Sequence, residues 1–211
     1  MKHMNQANPL AAQWQQMAGQ WDADQADIEA VFRLLLTTYS DVNRHYHGIG
    51  HIEQMLQQFE VHQSAVSQLD SFYFAIWFHD FIQQHSVDNE QLSAELAAEY
   101  LQRLLVPQAI IRRCQQLILA TREHHYVDDS DVQLFIDIDL SILASERAAY
   151  RSYAYRCRKE YFLPQPVYRF GRRRFLKQLL ARRFIFASDV FRHQAEARAR
   201  ANIQWELECW L

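Results

Sequence analysis

The chain has 211 residues, enough to bury a sizeable core as one domain, and its net charge of -3 argues against a generalised affinity for nucleic acid. It holds four Gly and four Pro, where average usage would give about fifteen and ten, so a turn-rich β architecture is excluded and an almost all-helical protein is expected. The three cysteines, Cys114, Cys157 and Cys209, are widely spaced and odd in number, which fits a reducing compartment rather than a disulfide framework or a zinc knuckle. With no signal-peptide-like or membrane-length apolar stretch, a cytoplasmic protein without membrane contact is expected.

In chain order, Asn8-Pro9 predicts an N-cap and a first-position proline for a short helix through Trp14 and Met17. A second helix, about 24–40, repeats Ile28, Val31, Phe32, Leu35 and Tyr39 at three- and four-residue steps. Arg44-His45-Tyr46-His47-Gly48-Ile49-Gly50-His51 reads as a histidine-rich turn ahead of a helix over 52–59. The apolar run Phe72 to Ile82 predicts a buried helix over about 69–84, with His79 and Asp80 inside it. A carboxylate there is costly unless it meets a cation or leaves the core at the end of its element.

Asp88 caps a predicted helix over 89–105, and Pro107 opens another that runs toward His124 and His125. The stretch 132–143 alternates Asp137 and Asp139 with aliphatic residues; strand is one reading and helix the favoured one. Ser145 is the expected N-cap of a helix to about Phe162, ended by Pro164 and Pro166. An amphipathic basic segment follows over 169–183, then a last helix over about 189–210. The arginines of the basic segment suit a solvated face or acidic neighbours. Trp205 and Trp210 suit core packing or a homodimer contact rather than stacking on a base.

Five stretches therefore carry metal-competent side chains: His47 and His51, His79 and Asp80, Glu90, His124 and His125, and Asp137 and Asp139. Imidazoles mixed with carboxylates suit Zn, Mn, Fe, Co or Ni, and oxygen-only sets suit Mg or Ca. Helices can project such ligands inward onto one ion. Each histidine or carboxylate also has an ordinary structural explanation, as a helix-end charge or a hydrogen-bonded core residue.

The ordered series resembles the HD superfamily of metal-dependent phosphohydrolases, and within it the branch of predicted metal-dependent HD phosphohydrolases. The resemblance rests on Arg44-x-Tyr46-His47-x-x-x-His51-Ile52, Phe78-His79-Asp80, Asn89-Glu90-x-x-Ser93-Ala94, Thr121-x-x-His124 and Asp137-x-Asp139-Leu140-Ser141. Later matches are Arg158-x-Glu160-Tyr161 and Gly171-Arg172. The resemblance implies an all-α, single-domain helical bundle of the HD type over 1–211, with a metal-site core at about 40–145 and a helical extension at about 146–211. It implies a divalent metal (Mn, Co, Ni, Fe, Zn or Mg) held by His51, His79, Asp80 and one of Asp137 and Asp139, with Asp139 preferred.

The implied activity is hydrolysis of a small phosphate ester, a nucleotide among the options, by a metal-bound water. Glu90 is the candidate to orient or deprotonate the water, and His47 or His124 the candidate to protonate the leaving oxygen. Arg44 and Arg172 are the candidates for substrate phosphate. Some superfamily members carry a catalytic glutamate three residues after the His-Asp pair, where this chain has Gln83. The alternative is a non-catalytic protein that keeps the metal as a structural core or nucleotide sensor; nucleic acid is not an expected partner, and a homodimer is compatible.

Overall fold

The structure is a computed structural model that describes residues 9–84, 87–122 and 127–209. Among these, every regular element is helical: α1 Pro9–Ala18, α2 Gln25–Tyr39, α3 Ile49–His62, α4 Leu69–Phe78, α5 Asn89–Arg103, α6 Gln108–Ala120, α7 Ser130–Asp139, α8 Arg147–Glu160, α9 Gln165–Ala181, α10 Asp189–Gln194 and α11 Glu196–Cys209. Short 3-10 turns follow α3 and α7. The helices group into two compact units interleaved in sequence, Met1–Ser40 with Gln68–Arg122, and Asp41–Ser67 with Glu123–Leu211.

The first unit is organised on α4. Its residues from Ser71 to Phe78 are all buried, which is the pattern of a helix apolar on every side, and α5 and α6 pack against it. Trp14 of α1 lies edge-on to Phe74 and Trp77, and its indole N–H donates to Ile28 O at 3.0 Å. Tyr39 donates to Trp77 O at 2.8 Å, so the polar edges of Trp14 and Tyr39 both find a backbone carbonyl inside this core. Burying each such aromatic stabilises by roughly 2–3 kcal/mol.

The α4 helix stops at Phe78, short of the expected end near residue 84. The reason lies in the hydrogen bonds that follow. Ile82 N donates to Ser93 Oγ at 3.0 Å and Gln84 N to Asn89 Oδ1 at 2.9 Å, so α5 takes donors that a longer helix would spend on its own carbonyls. Asp88 caps α5 by accepting from Gln91 N. At the other end of α5, Val106 N bonds Leu101 O and Leu105 N bonds Gln102 O, a closure in which Leu105 occupies the left-handed region at φ 56°.

In the second unit α3 packs on α7, and α11 packs on α9, on α10 and on the 3-10 turn Leu140–Ala144. The stretch around Asp137 and Asp139 is helix, as favoured from the sequence, because its apolar residues pack on more than one side: Leu134, Phe135, Ile136 and Ile138 are all buried. Asn202 of α11 donates to Leu143 O and Ser145 O at 2.9 and 2.8 Å, stitching α11 to the turn before α8. The last helix is two, broken at Ala195. There Glu196 turns its carboxylate onto Ile185 N and Phe186 N at 3.0 and 3.2 Å.

Candidate metal-binding residues and their surroundings

In the first unit His79 is the C-cap of α4 and Asp80 the next residue, so the carboxylate leaves the core at the end of its element. The imidazole is 1% exposed and the Asp80 side chain 27%. His79 Nδ1 lies 3.0 Å from Ile76 O, a carbonyl that only accepts, so Nδ1 carries a proton. In the neutral ring Nε2 is then the acceptor nitrogen, and it stands 3.1 Å from Asp80 Oδ2. Two acceptors at that distance repel unless a cation, a proton or a metal ion, joins them. A backbone carbonyl that fixes the tautomer and leaves Nε2 as donor is the usual outer support of a metal-ligating histidine. Glu90 stands half-buried in the first turn of α5, the helix to which residues 82–84 are tied.

In the second unit His51 lies in the first turn of α3, 3% exposed, with Nε2 3.2 Å from Asp139 Oδ1 at the end of α7. Thus His51 and Asp139 here, and His79 in the first unit, are buried or half-buried residues carrying the donor atoms that a divalent metal takes. The two aspartates of α7 have separate partners. Asp137 is fully buried and accepts from Ala187 N and Ser188 N, both at 2.7 Å, and from Ser188 Oγ at 2.5 Å, ahead of α10. Burial pushes its carboxyl up to about 6, against the pull of the Ser188 hydroxyl and the two amides.

The turn before α3 is held from α8. Glu160 Oε1 accepts from Tyr46 N and His47 N at 2.7 and 2.9 Å, and Oε2 lies 2.6 Å from His47 Nδ1. Burial works to raise the Glu160 carboxyl, but the His47 ring and the two amides outweigh it and hold it below the usual glutamate value. Arg44 Nη1 donates to His47 O at 3.0 Å, closing the same turn. Tyr46 packs its ring between those of His51, at 5.1 Å, and Tyr153, at 4.6 Å. Glu160 thus orients both the His47 ring and the turn that leads into His51, a role not assigned from the sequence, although the motif Arg158-x-Glu160-Tyr161 contained it.

Cys157, one turn before Glu160, brings a third ligand atom within 4.8 Å of those of His47 and Glu160. Burial pushes its thiol up to about 12, so without a metal beside it the group is a protonated thiol at neutral pH.

Arg172, expected to meet substrate phosphate, is engaged elsewhere. Its Nε and Nη2 donate to Glu206 Oε1 and Oε2 at 2.8 and 3.1 Å, and Nη1 to Tyr153 Oη at 3.1 Å. Tyr150 donates to the same Glu206 carboxylate at 2.5 Å. The Arg172 side chain is 9% exposed and that of Glu206 is fully buried. Phosphate could reach this guanidinium only by displacing a bidentate carboxylate. His124 and Trp210 lie outside the described residues.

No described helix is long and apolar enough to cross a membrane. No protein-family model, curated protein or solved structure matches the chain.

Proposed function

We propose that the protein is a metal-dependent phosphohydrolase of small phosphate esters, with His51, His79, Asp80 and Asp139 as ligands of one divalent ion. The observation that carries this reading is the His79–Asp80 contact: a histidine whose Nδ1 is oriented by Ile76 O sets its Nε2 3.1 Å from a carboxylate oxygen. The His51–Asp139 contact repeats the combination on other helices. The ordered motifs that resemble the HD superfamily supply the reaction class.

Two imidazoles and two carboxylates fit Mn, Fe, Co, Ni or Zn better than Mg. When bound, such an ion supplies an acidified water and a counter-charge for phosphoryl oxygens. Glu90, at the positive end of α5, orients that water and accepts its proton. His47 carries the proton for the leaving oxygen on Nε2, because its Nδ1 is held by Glu160, whose buried carboxylate keeps the ring in one orientation. Arg44 secures the His47 carbonyl with one nitrogen and presents its positive charge at the same turn for substrate phosphate. Arg172 is left out of this scheme, since Glu206 takes its planar edge.

The test is metal analysis of purified protein, then a phosphate-release screen over nucleotides and phosphosugars with Mn, Co, Ni and Mg. His79→Ala and Asp80→Ala should lose both metal and turnover. Metal-free protein, with turnover unchanged in both variants, would refute the reading.

A further inference from the structure

The net charge of -3 hides a segregation. Between residues 147 and 183 the chain carries twelve Lys and Arg against one acid, Glu160, and Glu160 is buried on His47. These residues form α8 and α9 of the second unit. Not all the cations are available, for Arg172 is taken by Glu206 and Arg173 donates to Leu207 O at 3.0 Å. The exposed ones on α8 are arranged in a particular way.

Arg147, Arg151, Tyr155 and Lys159 recur at four-residue steps, so they follow one side of α8 with a rise of about 6 Å per step. The cations rest on rings. The Arg147 and Arg151 guanidinium groups lie 5.1 and 5.7 Å from the centroid of Trp205, with Arg147 Nη2 also donating to Ala201 O at 3.2 Å and its other N–H groups left for an anion, and Lys159 Nζ lies 4.8 Å from the centroid of Tyr155. A cation laid on a ring keeps its outward N–H groups while losing rotamer freedom in advance, so less entropy is lost when an anion binds. Between these rings runs a groove of about 490 Å³ lined by Ala148, Arg151, Ser152, Tyr155 and Trp205 among others. Tyr155 remains 55% exposed.

We infer that this face of α8 binds a single strand of nucleic acid, with phosphates on Arg147, Arg151 and Lys159 and a base against Tyr155. Cations repeated at regular intervals match a repeated anion better than one small phosphate does, and an exposed ring among them matches a base. A lipid surface fits less well. An interfacial helix keeps its apolar side apart from its charges, whereas here Tyr155 stands within the row of cations, and on α9 the 73%-exposed Phe170 is followed by exposed Arg174 and Lys177 while the apolar Leu176 and Leu179 are buried.

The experiment is fluorescence anisotropy of the full chain with a labelled oligo(dT) of about 20 nucleotides, longer than the ~4–16 that one such surface covers, titrated across a salt series. Three phosphate contacts predict a slope of log affinity on log salt of about -2. Arg151→Glu with Lys159→Glu should weaken binding at least ten-fold at low salt and flatten the slope by about 1.4. Tyr155→Ala should weaken it about five-fold or more with the slope unchanged. Arg112→Glu, the same kind of charge reversal at one exposed position on α6, should leave affinity within two-fold of wild type. Thermal melts confirm that each variant is folded.

Absence of binding at the lowest salt overturns the inference, and so does an equal effect from Arg112→Glu. Duplex DNA binding as tightly as the single strand, with Tyr155→Ala silent, also overturns it, as does preference for phosphatidylserine vesicles over the oligonucleotide. None of these readouts requires metal or turnover, so this inference and the phosphohydrolase reading fail separately.

Discussion

Replacing Arg172 by Met separates two roles for this guanidinium, substrate contact and buried counter-ion. The structure predicts the second. Arg172→Met keeps most of the side-chain volume but removes three donated hydrogen bonds and strands the fully buried Glu206 carboxylate with the Tyr150 hydroxyl as its remaining partner among those described above. Breaking one side of a buried pair costs about 3–5 kcal/mol. For a chain of this size, at roughly 2–4 °C per kcal/mol, that lowers Tm by about 6–20 °C. The double variant Arg172→Met with Glu206→Leu should recover most of the loss, because an apolar pair of similar volume carries no stranded charge; the Tyr150 and Tyr153 hydroxyls retain a residual cost of about 1–3 kcal/mol. Calorimetric or circular-dichroism melts of wild type, both singles and the double complete the cycle. If Arg172→Met melts within about 2 °C of wild type while KM for a phosphorylated substrate rises, the guanidinium serves substrate and the reasoning is refuted.

Three further outcomes follow from single contacts. Asp137→Asn should destabilise by about 2–4 kcal/mol, since an amide presents one acceptor and an unwanted donor to three inward-pointing donors, and should leave metal content intact; Asp139→Asn should do the reverse, and loss of metal from the Asp137 variant alone would exchange the two assignments. Glu160 has its carboxyl held below the usual value of 4.5, so the stability it contributes is fully present above about pH 4.5 and is lost as pH falls through the depressed value. Urea titrations should therefore show the gap between wild type and Glu160→Gln shrinking as pH falls below about 4.5; a gap that widens there is the contrary result. Leu105, at φ 56° and 57% exposed, should accept Gly with a change between zero and about 1 kcal/mol in favour of the variant, measured by the urea midpoint, and a clear loss would mean that its side chain packs.

How much of this was legible in the sequence depends on whether the deciding interaction is local. Helical periodicity, proline placement and the Asp88 cap are local, and they locate most helices to within a few residues. The end of α4 is not local. Nothing between Phe72 and Ile82 stops a helix; the donors of Ile82 and Gln84 are claimed by Ser93 and Asn89, about one turn and a loop further along. Asp137 and Asp139 present the same difficulty, for two positions on one helix differ by about 200° and the partners that distinguish them, Ser188 and His51, are tens of residues away.

Arginine is where sequence reasoning is weakest, and the cause is chemical. A guanidinium satisfies a carboxylate and a phosphate with the same planar fork, so Arg172 in a motif resembles a phosphate ligand whichever anion it meets. What decides is the carboxylate at residue 206, placed beside it only by folding. The same logic directs attention from Arg172 to Arg151. The former lies within a recognisable motif and is neutralised by a buried acid; the latter lies in none, is exposed, and rests on Trp205 in a segment whose single acid is turned onto His47. Charge counted over the whole chain averages these situations to -3 and loses the distinction. The charge that bears on a partner is what remains after buried pairs are removed, and on α8 that remainder is a row of cations.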